Sequence, residues 1–131
     1  MNTPLKIVQQ FVRLIEAKDI DNAIALLAPN VSYENMPMKP VVGTENVRKV
    51  LSGFLGPAAQ VEWKILSECE SGDMVYNERL DRFLINNVWL ELPIAGVFQI
   101  SNGFITLWRD YFDMNTYTTQ FAEIMKSPTD R

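Results

Sequence analysis

Leu5, Val8, Phe11, Val12 and Ile15 recur three and four residues apart, so the chain opens with one apolar stripe on a helix. Thr3-Pro4 ahead of it reads as an N-cap followed by proline at the first helical position, and Lys18-Asp19 breaks the pattern. Ile20, Ala23, Ile24 and Leu27 share one side of a short second helix that Pro29-Asn30 ends. Val31 to Asn35 alternates as a short strand, and the two prolines of Met36-Pro37-Met38-Lys39-Pro40 keep that segment out of a sheet interior. A third helix, capped by Thr44 and closed by Gly56-Pro57, carries Val47, Val50, Leu51 and Phe54.

Beyond Gly56 the period changes from helical to alternating. Val61, Trp63 and Ile65 alternate up to a turn at Ser71-Gly72, and Met74 to Leu84 is a long strand ending at Asn86-Asn87. Val88 to Ile100 is the next strand, with Gly96 placed as a bulge. Asn102-Gly103 is the strongest hairpin signal, and Phe104 to Asp113 is the last strand. A C-terminal helix carries Tyr117, Phe121 and Ile124, and the tail from Lys126 to Arg131 is expected to fray. Helices first and a meander second predict an α+β fold, one domain over residues 1–131, with helices packed on one face of a curved sheet.

Composition then narrows the chemistry. With 47% apolar residues the chain buries a core, and a net charge of −4 with no basic run argues against nucleic acid as a partner. No apolar run reaches the roughly 20 residues of a membrane span. The opening Met1-Asn2-Thr3-Pro4-Leu5-Lys6 lacks a signal-peptide pattern, and a single cysteine, Cys69, rules out an internal disulfide; the expected location is the cytoplasm. The chain has no histidine, which excludes Ser-His-Asp and Cys-His triads and imidazole-ligated metals. Neither metal nor cofactor is expected, and catalysis falls to carboxylates, Arg, Lys, Tyr or Asn.

Three strands place polar groups where apolar ones belong. One face of the strand from Met74 carries Val75, Asn77, Arg79, Asp81 and Phe83, and one face of the last strand carries Phe104, Thr106, Trp108, Asp110 and Phe112. Tyr33 and Asn35 share a face of the short strand. Singly, each has an ordinary reading. Arg79 and Asp81 could be a surface ion pair, Asp110 could join Arg109 at a sheet edge, and Trp108 and Phe112 could be core or pocket wall. Together they form a coherent set, because burial raises a carboxylate's pKa and two carboxylates in different surroundings can serve as acid and base at one pH. Arginine can bridge the two.

Four runs, Tyr33-Glu34-Asn35-Met36-Pro37, Asn77-Glu78-Arg79-Leu80-Asp81, Gly96-Val97-Phe98-Gln99 and Ile105 to Asp113 with its Trp108-Arg109-Asp110-Tyr111-Phe112-Asp113, resemble the limonene epoxide hydrolase family in order and spacing. The resemblance spans about Val31 to Asp113. It implies a cone-shaped fold shared with ketosteroid isomerase and nuclear transport factor 2, a strongly curved mixed or antiparallel sheet around a deep apolar pocket. It implies Asp110 as general base on a water held by Tyr33 and Asn35, Asp81 as general acid on the epoxide oxygen, and Arg79 between the two. The implied partners are a small apolar epoxide, cyclic or terpene-like, and water, in a homodimer. Asn77 stands where the family more usually has threonine and carries no role in this reading. Phe54, Phe83, Leu92, Ile94, Trp108 and Phe112 are the expected pocket walls.

Two other readings fit the same cone. A polyketide cyclase- or ketosteroid isomerase-like enzyme needs one carboxylate base and an oxyanion donor, without an arginine spanning two aspartates. A non-catalytic ligand-binding module would keep its function when Asp81 or Asp110 is replaced by asparagine. Fold alone does not choose among them.

Overall fold

The computed structural model describes residues 2–126; the expected fraying of residues 127–131 lies outside them. Helix α1, Pro4–Glu16, begins where the Thr3 side chain accepts from the Lys6 amide at 3.2 Å, and buries Ile7, Val8, Phe11, Val12 and Ile15. Lys18 takes a positive φ of 57° and turns the chain into α2, Ile20–Ala25, whose N-cap is Asp19. The second helix is shorter than the periodicity predicts. Leu27 already pairs with Ile105, so it opens strand β1, Leu27–Asn35. The pairing then skips to Ser32 with Leu107, and Pro29, lacking an amide hydrogen, sits in that irregularity instead of ending a helix.

The proline-rich turn leads to a two-residue strand, β2, Val41–Val42, that periodicity did not reveal. Helix α3, Thr44–Leu55, starts at its expected cap: Gly43, with φ 90°, is the N-cap and Thr44 is the first helical residue. Strands β3 (Gln60–Ser71), β4 (Met74–Ile85), β5 (Val88–Ser101) and β6 (Phe104–Tyr111) form the antiparallel meander. Asn86, Asn87, Asn102 and Gly103 all take positive φ in the tight turns, as hairpins joined by two residues require. Helix α4, Met114–Ile124, follows, capped by Asp113.

The six strands lie in the order β2-β1-β6-β5-β4-β3. Strand β1 runs parallel to β6, so the sheet is mixed and open, α+β overall as expected. Its bulges fall between Ile65 and Ser67 and between Gln99 and Ile100. Gly96 is not a bulge; it pairs regularly with Asn77 on one side and Asp110 on the other. The actual irregularity pairs Ile100 with Ile105 and Gln99 with Leu107, leaving Thr106 as the extra residue. Alternation is therefore interrupted, Ile105 is buried and Phe104 is exposed, against the expectation that Phe104 and Thr106 share the inner face with Trp108.

Helix α1 lies across β3 to β6, and its Phe11 meets Trp108 edge-on at 5.0 Å and Phe98 at 6.4 Å. Helices α1, α2 and α3 thus cover one face of the sheet, with α4 against β5. Among the described residues no helix is long and apolar enough to cross a membrane. Leu51 of α3 is fully buried in this core. Leu51→Ala should therefore lower the unfolding free energy by about 2–5 kcal/mol, measured by urea denaturation; a loss within error of zero would contradict its packing.

Candidate active site

Strand register brings the polar residues together before any side chain is considered. Asn35 of β1 lies beside Asp110 of β6, Asp110 beside Gly96 of β5, and Gly96 beside Asn77 of β4. Arg79 is two residues along β4 on the same face, and Asp81 two further, opposite Trp63 of β3. Arg79 and Asp110 therefore sit on strands separated by β5. The guanidinium crosses that strand at Gly96, where a Cβ would overlap Arg79 Nη1 and lie 2.5 Å from Asn77 Oδ1. Glycine is required there for close approach rather than for backbone freedom.

Arg79 is completely buried, and Asp81 and Asp110 are each 2% exposed. Its Nε donates to Asp81 Oδ1 at 3.0 Å and Nη2 to Asp81 Oδ2 at 2.9 Å, a two-pronged grip on one carboxylate. The same Nη2 donates to Asp110 Oδ2 at 3.0 Å. The other oxygen of Asp110 accepts from Trp108 Nε1 at 3.0 Å. Trp63 covers the guanidinium, its ring centroid 4.6 Å from Arg79 Cζ. A surface ion pair is excluded by this burial, and so is an Arg109-Asp110 edge contact: Arg109 binds Glu34.

Asn77, to which the sequence assigned no role, accepts from Arg79 Nη1 at 3.0 Å through Oδ1. Its Nδ2 is buried and has no hydrogen-bond partner among the described residues. Such an orphaned donor costs about 1–3 kcal/mol, so the amide is held by what its oxygen does. Tyr33 stacks on Trp108 at 3.8 Å and donates its hydroxyl to Asn35 Oδ1 at 3.0 Å.

Charge follows from burial. Burial alone would lower the Arg79 pKa, but Asp110 and Asp81 more than reverse this, and the guanidinium stays charged. Asp81 is pushed up to about 6: burial raises it, Arg79 opposes, and the Asp110 and Glu16 carboxylates add to the rise. Tyr33 is pushed well above the ordinary phenol range, by burial first and by Asp110 second, and remains a neutral donor.

These groups stand at one side of a cavity of about 240 Å³. Tyr33, Asn35, Asp81 and Asp110 line it, and Phe54, Phe83, Leu92, Ile94 and Phe112 form apolar walls. Trp108 is not a wall. The ring of Tyr33 stacks on it, and Trp108 instead holds Asp110 through its indole nitrogen. Walls beyond those expected include Leu90, Met38 and, from α4, Tyr117 and Phe121. Leu90 alternates in step with Leu92 and Ile94 and was legible in principle; Met38 and Phe121 enter only through folding of a turn and a helix over the sheet.

The model of the limonene-1,2-epoxide hydrolase catalytic domain matches residues 2–123. The chain belongs to this family. Epoxide hydrolase EphG of Mycobacterium tuberculosis is 32% identical over 107 residues, 82% of this chain and 71% of that protein. The structure of an M. tuberculosis LEH-like epoxide hydrolase superposes with a TM-score of 0.80 at 28% identity, covering 92% of this chain and 90% of the other. A SnoaL-like protein from Shewanella putrefaciens superposes with a TM-score of 0.82 at 12% identity over 94% and 98% of the two chains, a likeness of fold alone. Family membership and the nuclear transport factor 2-like cone accord with the resemblance read from the sequence.

Because the guanidinium passes over Gly96, Gly96→Ala should force Arg79 or Asn77 aside and destabilise the fold by about 1–3 kcal/mol. Urea unfolding reads this directly; an unchanged midpoint would mean that the crossing is loose.

Proposed function

We propose that this chain converts an apolar epoxide and water into a vicinal diol in one concerted step, without a covalent intermediate. The observation that carries the reading is the single Arg79 nitrogen held by both Asp81, at 2.9 Å, and Asp110, at 3.0 Å, beside an apolar cavity.

Asp110 is the general base. Arg79 and Trp108 each occupy one of its oxygens, and lone pairs remain to receive a proton from water. Tyr33 donates to Asn35 Oδ1, which leaves the phenol oxygen as acceptor and the Asn35 amide as donor for that water. Asp81, raised to about 6, is the general acid. As the water oxygen bonds to an epoxide carbon, one water proton passes to Asp110. The C–O bond breaks, and the Asp81 proton goes to the leaving oxygen. The diol forms, Asp81 is left ionised and Asp110 protonated, and proton exchange resets the pair. Arg79 keeps the cluster neutral before and after, because one negative charge moves from one side of Nη2 to the other. Preorganised charge of this kind needs no rearrangement during the reaction.

The apolar walls favour a cyclic or terpene-like skeleton. A homodimer in the cytoplasm, working without metal or cofactor, belongs to the same proposal; Tyr76 and Tyr111, exposed on the sheet, are available to an interface. An isomerase or cyclase reading leaves the second aspartate and its arginine bridge without a task.

Two measurements test the reading. Wild type should form diol from limonene oxide and cyclohexene oxide, and Asp110→Asn should lose about 10²–10⁴-fold in turnover. Near wild-type turnover by the variant would remove Asp110 as base, and no diol from folded wild type would send the search to enolisable ketones. Because the acid works only when protonated and Asp81 titrates at about 6, kcat/KM should fall as pH rises above that value. The slope should approach about tenfold per pH unit, and a profile flat through this range would exclude Asp81 as the acid.

A further inference from the structure

We propose that Asn77 is a positioning residue that acts through Arg79, holding the guanidinium so that Nη2 stays between Asp81 and Asp110; this rests on the hydrolase reading above. The two aspartates grip Arg79 along one edge only, through Nε and Nη2. Asp110 is reached by Nη2 alone, so a small tilt about the Asp81 grip breaks the bridge. The remaining nitrogen, Nη1, is held at 3.0 Å by Asn77 Oδ1.

Three features make this contact part of the site rather than a chance of packing. Asn77 faces Gly96 in register, and a Cβ at Gly96 would fall among Arg79 Nη1 and Asn77 Oδ1, so the space is kept for that contact. Asn77 is 6% exposed, and its Nδ2 has no partner among the described residues. Turning the amide over would set its hydrogens against those of Nη1, so the guanidinium dictates the orientation that leaves Nδ2 unpaired. Asn77 is not among the residues lining the cavity, so it meets Arg79 and not the substrate.

Asn77→Thr and Asn77→Val have nearly the same shape, and only the first carries an oxygen that can accept from Nη1. Asn77→Val should lose about 10–100-fold in kcat, with KM within about threefold of wild type. Its alkaline limb of kcat/KM should move upward, because Arg79 holds Asp81 less firmly in its ionised form. Asn77→Thr should recover most of the rate and the wild-type limb. The guanidinium itself gives a readout independent of turnover. Nitrogen-15 resonances of Arg79 should be resolved and slowly rotating in wild type and Asn77→Thr, and averaged in Asn77→Val. If wild type forms no diol, the hydrolase reading fails while these resonances still decide whether Asn77 holds Arg79. Folded Asn77→Val with wild-type kcat, pH profile and resonances would overturn the proposal. So would equal losses in both variants, which would mean that Asn77 only fills space. Should Asn77→Val not fold, Asn77→Ser against Asn77→Ala poses the same contrast with the same readouts.

Discussion

A positive charge buried without contact to water has to be matched inside the protein, and Arg79 is matched by two carboxylates on different strands. Desolvating an ion costs several kcal/mol even after relaxation, and the attraction repays that only with good geometry and satisfied hydrogen bonds. The order of strands supplies the geometry: β4 brings Asp81, β6 brings Asp110, and β5 between them brings a residue without a side chain at the crossing point. Trp63 above the guanidinium and Trp108 beside Asp110 complete the enclosure. A one-residue shift of β4 would turn Arg79 and Asp81 to the opposite face and leave Asp110 on β6 without its cation.

The same enclosure separates the two carboxylates chemically. Asp81 takes both prongs of Arg79 yet is raised to about 6, because burial outweighs the arginine and the neighbouring carboxylates oppose a second negative charge. One cation facing two buried carboxylates is the charge balance on which the proposed acid and base depend. The apolar walls surround the cluster with low-dielectric surface, so electrostatic contacts there are stronger than they would be in solvent.

Aromatic packing ties the carboxylate cluster to the fold. Phe11 of α1, Phe98 of β5 and Tyr33 of β1 all meet Trp108, so one indole links a helix to three neighbouring strands and also sets the position of Asp110. The residue expected to touch substrate is instead the support beneath it. Tyr33, stacked on that support, keeps its hydroxyl directed at Asn35.

Much of the fold was legible from residue order alone. The helical stripe of α1, the alternation of β4 and the Asn-Gly turn depend on local periodicity, and local periodicity is written in neighbouring residues. The alternation also put Asn77, Arg79 and Asp81 on one face, and the motif runs pointed to the family that the comparisons show. Other features depend on how strands pair. The early start of β1 arises from pairing with β6, dozens of residues away, and the two-residue β2 and the bulge at Thr106 arise from the register between neighbouring strands, which no alternation within one segment encodes. Gly96 read as a bulge because a glycine in a strand shows only that something approaches closely, and only the tertiary structure reveals that it is Arg79. Alternation gave Asn77 and Trp63 a face but not a contact. Their surroundings come from the strand crossing, and burial and hydrogen-bond partners exist only once the sheet has formed.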